Sequence, residues 1–352
     1  MNKLDELIQQ LCPNGVPYRR LGDIATICRG GSFQKKDFTE SGVPCIHYGQ
    51  IYTRYGLFVN ETITYIGEET AQKQKFAEPN DVVMAVTSEN IEDVCKCVAW
   101  LGDGKVAVSG HAAIIHHSMN PKYLVYWLHS SSFYQQKAKI ANGTKVIEVA
   151  PAKLSDVVLP VPPLEVQREV ARILDTFTEL TAELTARKQQ YAYYRNKLLT
   201  FNIPGGTSRT TWRKFGETCF LQAGKAINAE NISKEKTPEY CIPCYGGNGL
   251  RGYVREANQQ GDKPLIGRQG ALCGNVCFAK GDYYATEHAV VVTDQGFYNS
   301  RFLYHLLVNK NLNQYKTSGA QPGLSVAKLE TILLPVPEIE IQKRIADVLE
   351  MP

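Results

Sequence analysis

Residues 152–175 read AKLSDVVLPVPPLEVQREVARILD, and residues 327–350 read AKLETILLPVPEIEIQKRIADVLE. The offset is 175 throughout, eleven of the 24 positions are identical, and six of the other thirteen exchange one aliphatic residue for another. A match of this length within one chain marks a duplication. Weaker echoes precede each copy in the same order. Tyr18-Arg19-Arg20-Leu21-Gly22-Asp23 matches Trp212-Arg213-Lys214-Phe215-Gly216-Glu217, and Ile46-His47-Tyr48-Gly49 resembles Pro243-Cys244-Tyr245-Gly246. Ser109-Gly110-His111-Ala112 resembles Thr286-Glu287-His288-Ala289, and Gly143 resembles Gly319. Between these anchors the copies diverge strongly. Two domains therefore share a scaffold and differ in what they contact.

Each copy reads as short β-type runs between Gly-rich polar turns: Val82–Val86, Val106–Val108 and Ala112–Ile115, then Leu265–Gly267 and Ala289–Thr293. One helix per copy is expected, over Lys122–Lys137 and Asn299–Lys310, from apolar residues at helical spacing. The class is α+β. The expected organisation is an N-terminal helical stub (1–17), a first head (18–160), a spacer helix (161–203), a second head (204–335) and the start of a second helix (336–352).

The spacer begins after Pro160-Val-Pro-Pro163, where proline suits a helix start and Glu165 and Glu169 favour its positive end. Val170, Ile173, Phe177, Leu180, Leu184, Arg187, Tyr191, Tyr194 and Leu198 then follow steps of 3 and 4, a coiled-coil seam with one polar member, Arg187. From Leu164 to Phe201 such a helix is about 57 Å long, more than one turn of duplex DNA at about 34 Å. Ile203-Pro204-Gly205-Gly206 is expected to end it. In the second copy Ile341, Ile345 and Val348 stand where the first has Val166, Val170 and Ile173, and the sequence stops at Pro352. If the copies are equal in length, the second helix is short by about 24 residues. The apolar stripe on the spacer then lacks a full partner, although the Leu4–Leu11 stub covers some of it. Self-association, or dependence on a partner for solubility, is the expectation.

Composition narrows the class. At 43% hydrophobic and 21% charged residues, the chain is globular rather than disordered. MNKLDELIQQLCPNG carries no apolar core of signal-peptide length, and no stretch reaches a membrane span, so a cytoplasmic protein is expected. Ten cysteines spread over 352 residues then read as reduced thiols. The net charge of +4 is too small to announce a nucleic-acid binder, but the basic excess lies mainly in residues 206–326.

The chain resembles the specificity subunit of type I restriction-modification systems. The resemblance is carried by the two LPxP-x4-Q-[RK] junctions (Leu159–Arg168 and Leu334–Lys343), by Gln190-Tyr191-Ala-Tyr193-Tyr194-Arg195-Asn-Lys-Leu198-Leu199, and by the opening Cys12-Pro13-Asn14-Gly15-Val16. It covers essentially the whole chain, with the junctions and the helix as its specific part. It implies two target recognition domains separated by a long coiled-coil helix, with the second helix truncated here. Each domain would read one half of a split site in double-stranded DNA. The helices would set the gap and dock two modification subunits, which methylate adenine with S-adenosylmethionine. Restriction subunits with an ATP- and magnesium-dependent motor would complete the complex. No cofactor is expected on this chain.

The residues point the same way. Phosphate contacts position a protein on DNA and base contacts specify the site, so a reader needs variable polar side chains on a constant frame. Expected DNA-facing residues in the first head are Lys35, Lys36, Tyr48, Gln50, Ser88, Asn90, Thr144 and Lys145. In the second they are Lys225, Tyr245, Asn248, Arg268, Gln269 and Gln321. They sit in Gly-rich loops that can approach a groove closely; the alternative for each is an ordinary turn. Helix packing is expected of Val170, Ile173, Phe177, Leu180, Leu184, Tyr191, Tyr194, Leu198, Ile341, Ile345 and Val348.

No catalytic constellation is legible: there is no NPPY-type tetrad, no glycine-rich nucleotide loop with Lys-Ser/Thr, and no nuclease carboxylate cluster. Cys241, Cys244, Cys273 and Cys277 could supply four thiolates to zinc, but the second pair is spaced CxxxC and buried or incidental thiols are preferred. Cys95 and Cys97 read as neighbours on one face of a strand. His111, His116 and His117 read as parts of one strand with a buried Ala-Ile centre. Two rival functions remain: a recognition region detached from a single-chain methyltransferase-nuclease, and a two-headed adaptor that binds no DNA.

Overall fold

The structure is a computed structural model that describes residues 2–201, 210–270, 272–317 and 322–351. It divides into two compact units, Met1–Glu183 and Leu184–Pro352.

In the first unit a five-stranded sheet runs in the order Ala25–Arg29, Ala112–His117, Val82–Ala85, Cys97–Trp100, Phe58–Val59. Its centre explains the unbroken apolar runs. Ala112 and Ile114 face a second five-stranded sheet, whose middle strands are Val43–Ile46 and Val106–Val108. Ala113 and Ile115 face two helices, Pro121–Leu128 and Ser131–Ile140. A strand covered on both faces has no position left for a polar side chain. The second unit repeats this plan in two four-stranded sheets. Val290 and Val292 lie on the helix side, against Phe302 and Leu306, while Ala289 and Val291 lie on the other.

The single helix expected over Lys122–Lys137 is two helices. The break falls at His129-Ser130, where the Ser130 hydroxyl accepts from Phe133 N and starts a new helix. Its counterpart, Ser300–Asn309, is one helix, capped by Asn299. Cys97 opens its strand, but Cys95 lies outside it at φ +66°. Both thiols are buried. The expected strand of histidines begins one residue late: His111 precedes it, and only His116 and His117 belong to it.

The long helix runs Leu164–Leu198, 35 residues or about 52 Å, and so ends three residues short of Phe201. The expected terminator at 203–206 lies outside the described residues. Its first turns are part of the first unit: Val166 and Ala171 are buried, and Val170 packs on the core. Its last residues join the second unit, where Leu198, Leu199 and Phe201 pack in the same cluster as Ile345 and Leu349. Every residue from Thr176 to Tyr191 is exposed.

The closing helix Ile339–Glu350 buries Gln342, Ile345, Ala346 and Leu349 against its own head. Val170 and Ile345 occupy equivalent positions and both pack on a head, so their seam role is corrected. Val348, also placed on the seam, is 47% exposed.

The two junction glutamines show why the repeat is so well kept. Gln167 is 2% exposed; its Oε1 accepts from Asn120 N at 2.8 Å, and its Nε2 donates to Pro162 O at 2.7 Å. Gln342 is 1% exposed and does the same with Asn299 N at 2.8 Å and Pro337 O at 2.8 Å, adding Phe297 O at 2.9 Å. In each copy one side-chain amide ties the N-cap of the head helix to the start of the junction helix. The sequence motif contains the glutamine; only the fold shows what it holds.

The N-terminal helix Lys3–Leu11 is attached to the long helix by charge. Lys3 Nζ lies 3.0 Å from Glu169, and Arg172 donates to the same carboxylate at 2.7 Å and 3.1 Å. These two cations hold the Glu169 carboxyl down at about 2, from an ordinary value of 4.5. A lowered folded value means that the contact contributes fully above pH 4.5 and is lost as pH falls towards 2. Amide exchange across residues 3–11, corrected for its intrinsic pH dependence, is expected to accelerate over that window. In Glu169→Gln the acceleration should be absent. An unchanged pH profile in that variant would assign the docking to other contacts.

Candidate nucleic-acid interface

Main-chain hydrogen bonds fix which positions of the two heads correspond. Val86 N donates to His111 O at 3.0 Å, and Arg268 N to His288 O at 2.9 Å. Val149 N donates to Val86 O, and Leu324 N to Arg268 O. Gly30 N donates to Ala112 O, and Gly224 N to Ala289 O. Hence Val86, Thr87 and His111 correspond to Arg268, Gln269 and His288. The strand pairing Cys45↔Ala107 matches Cys244↔Tyr284. Cys244 therefore stands in place of Cys45, not His47, and Tyr48 has no partner at Tyr245.

In the first head the loops meet around His111. Its ring packs at a tilt on Tyr48, 4.9 Å between centroids, and Tyr48 packs at a tilt on His47 at 4.6 Å. His111 Nδ1 lies 3.2 Å from Thr87 Oγ1, and the Tyr52 hydroxyl donates to Thr87 O at 2.8 Å. Both tyrosines come from the short helix Tyr48–Thr53, whose start is tied down when Tyr48 N donates to Ser109 Oγ. Burial, with the Lys35 charge beside it, lowers His47 to about 4, so its imidazole is neutral at pH 7. An Arg29–Glu148 ion pair crosses the same region. The floor of this head is filled.

The second head has Ala223 where the first has Arg29, and Gly323 where it has Glu148. The strand Ile242–Gly246 is followed by a tight hairpin rather than a helix. Gly267 makes this close approach possible, since a Cβ there would lie 1.8 Å from Gly247 O. A cleft of about 830 Å³ remains, walled by Gly246–Leu250, Arg251, Gln269, Leu272, His288 and Gly323. Beside it His288 Nε2 lies 3.0 Å from Glu287 Oε1. His288 Nδ1, Glu287 Oε2 and Arg268 Nε are buried without a hydrogen-bond partner among the described residues. Leaving such groups unpaired costs about 1–3 kcal/mol each, which a bound partner can recover.

Asn248 and Gln269 both line the cleft and are exposed. Arg268 directs its Nε away from solvent beside it. Lys225 follows Gly224 at the loop end and is exposed. Tyr245 is corrected: it packs on Tyr283 at 6.0 Å in a core cluster, and burial raises its hydroxyl. Gln321 lies outside the described residues, as does Gly319.

In the first head Lys35 and Lys36 are exposed on a single 3-10 turn, and Thr144 and Lys145 on the loop closed by the Asn142↔Glu148 bridge. Ser88 is half-buried and pairs with Ile147. Asn90 commits its side chain to Asp93. Gln50 is corrected: it is 8% exposed, accepting from His47 N and donating to Thr64, so no base can reach its amide.

Sequence reasoning missed His111, His288 and Tyr52 as members of the site. The signal for the histidines was present in the echo of GHA and EHA, but it was assigned to the strand that starts one residue later.

The cysteines do not converge. Cys241 is exposed and Cys244 and Cys273 are buried, and burial pushes the Cys244 and Cys277 thiols up to about 11, away from the thiolate that zinc requires. Among the described residues no group of His, Cys, Asp or Glu has metal-holding geometry, and no helix is long and apolar enough to cross a membrane.

The family model described as the type I restriction modification DNA specificity domain matches residues 13–191 and 210–351. The specificity subunit of the Escherichia coli type I restriction enzyme EcoprrI is 35% identical over 330 residues, 90% of this chain and 82% of that one. A putative type I specificity subunit of Mycoplasma pneumoniae is 30% identical over 208 residues, 56% of this chain and 81% of that one. The fold is shared with the crystal structure of a type I restriction-modification S subunit from M. genitalium. That match has a TM-score of 0.61 and 18% identity, over 96% of this chain and 89% of that one.

Proposed function

The chain belongs to the type I restriction-modification DNA specificity family, a non-catalytic target-recognition subunit, and from that premise we propose that each head reads one half of a split DNA site. The observation that carries this is the contrast at the loop ends. Two heads with the same main-chain hydrogen bonds present a filled aromatic floor in one case and an open cleft in the other, so they read different bases.

The long helix then sets the gap between half-sites. Its exposed stripe, Phe177, Leu180, Leu184, Tyr191 and Tyr194, is the surface for two modification subunits. Each apolar side chain of that kind recovers about 1.5–3 kcal/mol on burial, which favours an assembled complex over the isolated chain. Methyl transfer from S-adenosylmethionine, and cleavage driven by ATP and magnesium, belong to the modification and restriction subunits, in the cytoplasm where the DNA is. Methylome sequencing of a host carrying the complete system tests the reading: a split adenine-methylated motif is the expected result, and an undivided motif overturns it.

Arg268 offers a test within one head. Arg268→Ala is expected to relax selectivity in one half-site and leave the other intact, since its counterpart in the first head is Val86. An arginine–guanine pair is worth about 1–3 kcal/mol of discrimination. Competition binding against single-base variants of the site measures it. Uniform weakening with a shallower salt dependence would make Arg268 a phosphate contact instead.

A further inference from the structure

The cleft of the second head has a lining chemistry of its own. Its polar side chains are Asn248, Gln269, Arg251 and His288, and its apolar ones are Leu250, Leu272 and Pro322. The two leucines are 53% and 57% exposed, on the cleft wall rather than in the core. The Gln269 side chain makes no hydrogen bond among the described residues, and Asn248 has only a long contact of 3.5 Å with Asn275. An exposed leucine pair beside two uncommitted amides is an unusual surface for a protein left facing water.

We propose that this cleft reads an A·T base pair, and this rests on the target-recognition reading above. Gln269, with Asn248 beside it, pairs with the N6 and N7 edge of adenine, and Leu250 and Leu272 pack on the 5-methyl group of thymine. Amide side chains match adenine because they donate and accept side by side, and an apolar contact distinguishes thymine from the other bases. A G·C pair fits less well: its cytosine amino group needs an acceptor such as a carboxylate, the lining contains no Asp or Glu, and Glu287 beside it holds one oxygen against His288 and the other buried away from solvent. Arg251 lies on the outer hairpin and is exposed, a position for a phosphate. In the first head the corresponding floor is occupied by Tyr48 and Tyr52, so the deep contact belongs to the second head alone.

The test uses the chain assembled with its modification subunit and the target found by methylome sequencing. Absence of a split target defeats the target-recognition reading itself. With a target in hand, each thymidine of the second half-site is replaced in turn by deoxyuridine, which removes only the methyl group. One position is expected to lose affinity about fourfold, the factor for one buried methyl-sized group. In the Leu250→Ala/Leu272→Ala variant the thymidine and deoxyuridine duplexes should bind alike. Gln269→Ala should lose about 5–150-fold of discrimination at the same A·T pair, with selectivity at the first half-site retained. Circular dichroism and binding to the first half-site control for folding. No deoxyuridine effect at any position, an effect that persists without the leucines, or relaxation at a G·C pair in Arg251→Ala but not in Gln269→Ala would each overturn the proposal.

Discussion

Inserting four residues after Ala186 is expected to abolish methylation at the native target and to create activity at a site with the same half-sites and a wider gap. Residues 176–191 are exposed throughout, so the insertion breaks no buried contact in either head. Four residues are close to one helical turn and add about 6 Å of rise, the length of about two base pairs. The insertion also turns the downstream residues by only about 40°, which keeps the Phe177–Tyr194 stripe nearly in line. Activity at the old target should fall by orders of magnitude, because a half-site displaced by even one base pair offers the wrong edges. The measurement is methylome sequencing of cells carrying the variant. A changed half-site with an unchanged gap would mean that the helix does not measure the spacing.

The second large effect is on stability. Gln342→Ala removes an amide that satisfies Asn299 N, Phe297 O and Pro337 O together at a site 1% exposed. Each buried polar group left without a partner costs about 1–3 kcal/mol, and the space left by the side chain adds to that. A loss of about 3–5 kcal/mol is expected, lowering the melting temperature of the second unit by about 10 °C. Gln342→Glu should be nearly as damaging, because a carboxylate cannot donate to the two carbonyls. Calorimetry is the check: a Tm within a degree or two of the parent would show that water takes over the amide's hydrogen bonds.

Much of the architecture was legible because the duplication states it twice. The junction repeat located the start of each helix, at Leu164 and Ile339, and the apolar runs Ala112–Ile115 and Ala289–Thr293 identified central strands of the two heads. What escaped depended on register. The sequence aligned Tyr48-Gly49 with Tyr245-Gly246, whereas the fold pairs Cys45 with Cys244. The discrepancy is two residues, and a shift of two leaves every side chain on the same face of a strand, so alternation could not expose it. Gln50 misled for a related reason: its position in a Gly-rich polar loop gives no sign that a short helix turns it inward onto Thr64. The contrast between filled and open floors was beyond the sequence, since it depends on Arg29 meeting Glu148 across 119 residues of chain.

The glutamine locks have a genetic consequence. Their hydrogen bonds all go to main-chain atoms: an N–H at the start of the head helix and carbonyls just before the junction helix or, for Phe297, just before the head helix. Such a coupling is indifferent to the side chains of the head it holds. Any head whose helix begins in the same backbone conformation can be fitted to the same joint, and the AKL-to-Gln stretch that carries the joint is also the stretch the two halves share. Homologous recombination there would exchange entire heads between chains at a seam that both products can close. A repertoire built this way grows as the product of the heads in circulation, while the joint stays under selection to remain the same.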